Sequence, residues 1–255
     1  MSFRFRGWLG PLGRYRPALF RKDMADGFRL TPALTWPRSW SRWSSPEERL
    51  LDTLDLAGKV VYDIGAHSGA YTLFFSRRVG ETGWVVAFEP QPRNFARLLH
   101  NLHLNHVVNA QPLRLGLGAN SEVRDLYMLP GMSTTASMAD ESRTPLRRHA
   151  GSAQLERLDT LVERMPLPPP DFLKIDVEGL ELEVLHGALR TLHRYRPGIL
   201  VEVHGASREQ KAARVRSLTA LLQRLGYSLI HAESGQAVTA QSAPATGHVY
   251  ARQAA

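Results

Sequence analysis

Short apolar runs alternate along the chain with stretches of helical period, and the alternation becomes crisp at Ser45. Ser45-Pro46-Glu47-Glu48 puts a serine at an N-cap, a proline at the first helical position and a glutamate three residues after the cap, the pattern of a capping box. The helix it opens is expected to run through Leu50, Leu51 and Leu54 and to stop near Gly58. Val60–Ile64 reads as a buried strand, followed by a glycine-bounded turn and a helix over 71–79 anchored by Leu73, Phe74 and Phe75. Trp84–Phe88 is a second buried strand, after which Phe95, Leu98, Leu99 and Leu102 recur along one helix face.

The middle is less patterned. Residues 111–129 predict two short strands separated by Gly116-Leu117-Gly118, and residues 130–155, polar and arginine-rich, predict a loop or flap. Phe172–Asp176 is a third strand, introduced by Pro168-Pro169-Pro170. Leu182, Leu185, Leu189 and Leu192 line one face of the helix after it, and Gly198–Val203 is the next strand. Ser207 and Gln210 form a second capping box, opening a helix that carries Val215, Leu218, Leu222 and Leu225 on one side and ends at Gly226. Tyr227–His231 and Gly247–Ala251 close the chain as a strand pair. Strands alternating with helices of this length predict an α/β fold, a mostly parallel sheet covered on both faces.

Residues 1–45 break the pattern. They hold four of the five tryptophans (Trp8, Trp36, Trp40 and Trp43) among prolines and arginines, without a helical period. They are expected to form an N-terminal arm that packs its aromatics onto a domain spanning 46–255. A lid, a homo-oligomer contact or a touch on a membrane surface is the sharper alternative.

Composition narrows the classes. A chain of 255 residues accommodates one sizeable α/β domain. With no cysteine, disulfides, thiolate zinc sites and a cysteine nucleophile are excluded. The net charge of +8 comes with only four lysines and with arginines scattered along the chain. A strand-binding platform needs aromatics interleaved with the basic residues, which are missing beyond the arm, so a solvated basic surface is expected rather than a nucleic-acid groove. No window approaches the ~20 apolar residues of a membrane span. Met1–Phe20 lacks the continuous apolar core of a secretory signal, so a cytoplasmic protein is expected.

The chemistry begins in the first turn. In Asp63-Ile64-Gly65-Ala66-His67-Ser68-Gly69 a buried strand ends in glycines and a helix starts at once, the place where open α/β sheets bind ligands. Glycines let the backbone approach a ligand with no Cβ in the way. A dinucleotide fingerprint is absent, because three residues separate Gly65 from Gly69 and position 67 is a histidine. Asp63 at the strand end would repel a pyrophosphate and suits a ligand with an ammonium group and no phosphate. S-adenosylmethionine is such a ligand. Glu89 ends the second strand about twenty residues beyond the turn, where an acid accepts hydrogen bonds from ribose hydroxyls.

These segments, with Phe88-Glu89-Pro90, Ile175-Asp176-Val177-Glu178-Gly179 and Val201-Glu202-Val203-His204, resemble the FkbM family of S-adenosylmethionine-dependent methyltransferases over roughly residues 58–232. The resemblance implies a Rossmann-like class I methyltransferase, with a seven-stranded, mostly parallel sheet whose last strand is antiparallel. It also implies O-methylation of a hydroxylated small molecule such as a sugar, polyketide or other secondary metabolite. Family members often carry an asparagine where His67 stands. On this reading Asp63, Gly65, Ala66, His67, Ser68, Gly69 and Glu89 bind the cofactor.

Methyl transfer is an in-line displacement helped by alignment and by a base for the acceptor's proton. The candidates at strand ends are Asp176, Glu178, Glu202 and His204. Glu178 has a competing role as a cap on the next helix. An unperturbed imidazole titrates near ~6.5, which would suit His204 as a base. Asp176, Glu178 and Glu202 offer hard oxygen ligands, yet nothing in their spacing requires a metal, and none is expected. Methylation of RNA or protein, and a non-catalytic binding module that keeps the fold, are the competing readings.

Overall fold

The computed structural model describes Lys22–Asp23, Arg29–Leu30, 45–128, 136–137, 148–244 and 247–253. In chain order its elements are β1 (Lys22–Asp23), β2 (Arg29–Leu30), α1 (Pro46–Thr53), β3 (Val60–Ile64), α2 (Ala70–Val79), β4 (Trp84–Phe88), α3 (Pro92–Leu104) and β5 (Ala110–Leu113). There follow β6 (Gly116–Leu117), β7 (Glu122–Met128), β8 (Ala136–Ser137), β9 (Arg148–Glu156), α4 (Leu158–Arg164), β10 (Phe172–Ile175), α5 (Glu181–Gly187) and α6 (Leu189–Tyr195). The chain closes with β11 (Gly198–Glu202), α7 (Arg208–Arg224), β12 (Tyr227–His231) and β13 (His248–Gln253).

Seven strands form the main sheet in the order β12-β13-β11-β10-β3-β4-β5. β3 pairs in parallel with β4 on one side and β10 on the other, so the chain reverses direction across the sheet at β3. Ligands of such sheets sit beyond the carboxyl ends of the strands at that reversal. β13 is antiparallel to both β11 and β12, as the family resemblance implies. A smaller four-stranded sheet, in the order β6-β9-β7-β8, follows β5.

The side-chain period of two sorts the strands into two faces. Tyr62, Ile64, Leu173, Ile175, Ile199 and Val201 are buried in one cluster with Leu185 and Leu192 of α5 and α6 and with Val215, Leu218 and Leu222 of α7. Val61, Phe172 and Leu200 are buried on the other face with Leu51 of α1 and with Phe74 and Phe75 of α2. The same parity sends Asp63, Lys174 and Glu202 to the α1–α2 face.

The capping box at Ser45 forms as expected, with Glu48 N donating to Ser45 Oγ at 3.2 Å and Ser45 N to Glu48 Oε2 at 2.8 Å. Four expectations differ. The first helix stops at Thr53 rather than near Gly58, because Leu54 turns extended at the C-cap. The single helix expected through Leu192 is broken into α5 and α6 at Ala188. Part of the expected flap is strand, since Arg148–Glu156 pairs with β7, and the rest of 129–147 apart from β8 lies outside the described residues. At Ser207 the cap bond to Gln210 N forms, but the Gln210 side chain reaches Ala206 N instead of the cap residue. Of the expected arm only β1 and β2 are described, as an antiparallel pair, and its tryptophans lie outside the described residues.

Candidate active site

Asp63 lies at the end of β3 with no exposure to solvent. Its Oδ2 accepts a 2.6 Å hydrogen bond from Thr72 Oγ1, while Oδ1 finds no hydrogen-bond partner among the described residues. Burial raises the carboxyl's pKa, with Lys174 and Thr72 pulling it back. The turn that follows is packed against the end of β10. Gly65 has φ +88, and a Cβ there would lie 1.8 Å from the Asp176 carbonyl oxygen, so only glycine fits. Gly65 N and Ala66 N both donate to Phe88 O, each at 2.9 Å.

His67 adopts a left-handed backbone with φ 52 and donates its N–H to Glu89 Oε2 at 2.8 Å. Histidine, like asparagine, enters that conformation more readily than most residues. Ser68 is fully buried, and its Oγ has no hydrogen-bond partner among the described residues. Gly69 N donates to Ala66 O at 2.8 Å and caps α2 with φ 91. Glu89, buried at the end of β4, also accepts from Gln91 N at 2.9 Å. Burial pushes its carboxyl up to about 8, against the pull of those N–H groups.

A second group gathers beyond β10 and β11. Asp176 N donates to Ile64 O at 2.9 Å, tying this group to the turn. His204 stands at its centre. Its Nε2 is 3.7 Å from Asp176 Oδ1, 3.8 Å from Glu178 Oε2 and 3.6 Å from Glu202 Oε1. Its Nδ1 lies 2.8 Å from Glu181 Oε1. All four residues expected at strand ends are thus brought together. Two expectations change. α5 has Leu180 at the N-cap position, so Glu178 stands two residues before the cap, and its own backbone is left-handed at φ 52. His204 is not a neutral-range base: burial disfavours its charge, but Glu181 and the carboxylates of Glu178, Asp176 and Glu202 outweigh that and raise it to about 9.

Several partners escape a reading of the sequence. Lys174 is buried on the same face, its Nζ 3.1 Å from Asp176 Oδ2 and 4.4 Å from the centre of the Tyr71 ring. A lysine inside the apolar run Phe172–Ile175 is the signal that points to it, because a buried ammonium requires carboxylate partners. The β11–β13 register pairs Glu202 with His248. His248 Nε2 sits 3.4 Å from Glu202 Oε2, and its Nδ1 is 3.0 Å from Glu47 Oε2 and 2.7 Å from Glu233 Oε1. Burial works against the charge on His248, yet hydrogen bonds to Glu202 and Glu233 lift it to about 10. Glu202 is correspondingly held at about 2, its burial outweighed by His248. Glu47 also accepts from Tyr71 Oη at 2.6 Å, linking α1 to α2.

Residues 63–229 match the family described as the methyltransferase FkbM domain, a span that takes in both the turn and the His204 group. The chain belongs to the FkbM methyltransferase family. Among curated proteins, Methyltransferase 1 of Beauveria bassiana is 28% identical over 143 residues, covering 50% of this chain and 57% of that protein. Hexuronic acid methyltransferase AglP of Haloferax volcanii is 32% identical over 148 residues, covering 57% of this chain and 56% of that protein. The chain therefore spans a little over half the length of these relatives. The crystal structure of methyltransferase FkbM from Methylobacillus flagellatus has a TM-score of 0.52 at 15% identity, covering 82% of this chain and 50% of that one. A Streptococcus mutans protein solved in complex with SAH has a TM-score of 0.50 at 14% identity, covering 83% of this chain and 99% of that one. At these identities the likeness is one of fold, the class I methyltransferase fold. No helix among the described residues is long and apolar enough to cross a membrane.

Proposed function

We propose that this FkbM-family methyltransferase moves a methyl group from S-adenosylmethionine to a hydroxyl of a small molecule, with a sugar or sugar acid as the leading acceptor class. The observation that carries the reading is the junction at Gly65, where the cofactor turn and the Asp176 end of β10 touch with no room for a Cβ. Donor and acceptor sites are then neighbours across one backbone contact.

The residues of the turn fit the cofactor. Asp63 Oδ1 and Ser68 Oγ are buried without hydrogen-bond partners among the described residues, and buried polar atoms of that kind call for a ligand or water. Asp63 answers an ammonium group, and Glu89 is placed to accept from ribose hydroxyls. When bound, S-adenosylmethionine supplies an electrophilic methyl on a sulfonium sulfur.

The acceptor's proton needs a carboxylate that the acceptor can reach and whose proton affinity is not suppressed. Asp176 has one oxygen against Lys174 and only 27% of its side chain open to solvent, Glu202 is held at about 2 by His248, and Glu181 is sealed beneath His204. Glu178 has 38% of its side chain open to solvent, and the burial of the remainder raises its carboxyl above the usual range. We assign it the base. The sugar-acid reading draws support from the relative named for hexuronic acid.

Glu178→Gln is expected to lower kcat by about 10²–10⁴-fold, the usual worth of a positioned base, with affinity for S-adenosylhomocysteine unchanged. Turnover is read with radiolabelled cofactor on a panel of hexuronic acids, neutral sugars and phenols. Full turnover in Glu178→Gln would remove the base assignment. A panel with no acceptor, beside normal cofactor binding, would instead favour a non-catalytic module.

A further inference from the structure

We infer that Asp176 Oδ1, Glu202 Oε1 and His204 Nε2 bind one divalent cation beside the cofactor turn. Each of the three residues offers one ligand atom, and these atoms lie within 4.8 Å of one another. Nε2 stands 3.7 Å from Asp176 Oδ1 and 3.6 Å from Glu202 Oε1. Such gaps are too long for hydrogen bonds. They match the edges of a roughly tetrahedral set of donors sharing an ion about 2.0–2.2 Å from each.

The other ring nitrogen supplies an independent observation. Nδ1 lies 2.8 Å from Glu181 Oε1, and Glu181 is itself buried and accepts from Gly179 N at 2.9 Å and His204 N at 3.3 Å. A carboxylate there holds the proton on Nδ1, so an ion that displaces the Nε2 proton meets a lone pair facing the two oxygens. This is the arrangement that stands behind imidazoles ligating a metal. The far oxygens are held as well, Asp176 Oδ2 by Lys174 at 3.1 Å and Glu202 Oε2 by His248 at 3.4 Å. The near oxygens are thereby turned toward His204. Glu178 adds a further carboxylate at 3.8 Å from Nε2. Four carboxylates around one imidazole, countered locally by Lys174 and His248, leave negative charge that a dication offsets better than a single proton does.

A set mixing imidazole with carboxylates suits Mn²⁺ or Zn²⁺ over Mg²⁺ and Ca²⁺, which favour oxygen-only sets. The Asp176 and Glu202 side chains are 27% and 39% exposed, so an ion here keeps open positions. Two oxygens of a vicinal diol or a 2-hydroxy acid would fill them, and the ion would orient and polarise the hydroxyl to be methylated. That role rests on the methyl-transfer reading; binding of the ion does not.

The test uses the full chain stripped with a chelator and titrated with Mn²⁺ alone, following loss of the free-ion paramagnetic resonance signal, then with Zn²⁺ by calorimetry. One ion per chain is expected. Glu181→Gln should weaken binding by about 10–100-fold, the usual cost of losing the partner behind a ligand, and His204→Gln and Glu202→Gln by at least as much. His248→Gln, which removes only the partner behind Glu202 Oε2, should weaken it less than His204→Gln does. Circular dichroism checks each variant's fold, and His204→Asn is read if His204→Gln does not fold. No saturable binding at millimolar metal overturns the site. So does binding that survives loss of His204 and disappears with His248. A parallel titration with S-adenosylhomocysteine separates the two claims: cofactor binding without metal binding removes the ion alone, and metal binding without cofactor binding removes the reading of the turn alone.

Discussion

Gly65→Ala is expected to lose both stability and cofactor binding. Two costs add at this residue. Its φ of +88 is a conformation that costs a residue with a Cβ about 1–3 kcal/mol. The new methyl would also lie 1.8 Å from a backbone oxygen, that of Asp176, which has no rotamer to escape through. Forcing atoms into packed space costs about 1–3 kcal/mol more. The relief available is to move the turn away from β10, which breaks the Asp176 N to Ile64 O bond and separates donor site from acceptor site. Thermal unfolding and titration with S-adenosylhomocysteine would read both effects. Gly80→Ala is the control, because Gly80 has φ +68 and a methyl added there would meet nothing within 4 Å, so it carries backbone strain alone. A Gly65→Ala protein as stable as Gly80→Ala, with normal cofactor affinity, would show that the close approach has no consequence.

Asp63→Ala carries the second large effect. It removes the acceptor of Thr72 Oγ1 and one of the carboxylates that balance buried Lys174. Leaving a buried group unsatisfied costs about 1–3 kcal/mol. Removal of the charge that answers the cofactor's ammonium should weaken binding by about tenfold to a hundredfold, from about 1.5–3 kcal/mol for a charge-assisted hydrogen bond. Asp63→Asn separates the two effects, since it keeps an oxygen for Thr72 and loses only the charge. It should recover much of the stability and little of the affinity. Wild-type affinity in Asp63→Asn would place the ammonium elsewhere.

The strands of the sheet centre and the helix starts are legible in the sequence because one local rule governs each of them. Val60–Ile64 and Trp84–Phe88 are apolar runs bounded by turns, and Ser45 carries its own cap. The break at Ala188 is not legible, since Leu182, Leu185, Leu189 and Leu192 keep their period straight through it. Tertiary contacts meet the chain there: Asp159 accepts from Arg190 N and Thr191 N at the start of α6, and a Cβ on Gly187 would lie 2.0 Å from Gly118 O. The site divides the same way. Asp63, Glu89, Asp176, Glu202 and His204 each lie at a strand end and can be found one segment at a time. Glu47 and His248 meet Glu202 only through the packing of α1 and the antiparallel register of β13, which couple residues far apart in the chain. Glu181 escapes notice because it follows the strand end by a turn and looks like an ordinary first-turn acid.

The central claim is that the β3 turn and Glu89 hold S-adenosylmethionine. The most direct test is calorimetric titration of the chain with S-adenosylhomocysteine at neutral pH in two buffers of different ionisation enthalpy. Burial pushes the Glu89 carboxyl well above its usual range, to about 8. Ribose hydroxyls donating to it favour the carboxylate and lower its pKa, so binding is expected to release a proton. The expected result is saturable one-to-one binding whose heat differs between the buffers, with that difference abolished in Glu89→Gln. No binding at millimolar ligand would contradict the claim, and binding as tight in Glu89→Gln as in the wild type would take Glu89 out of the cofactor site.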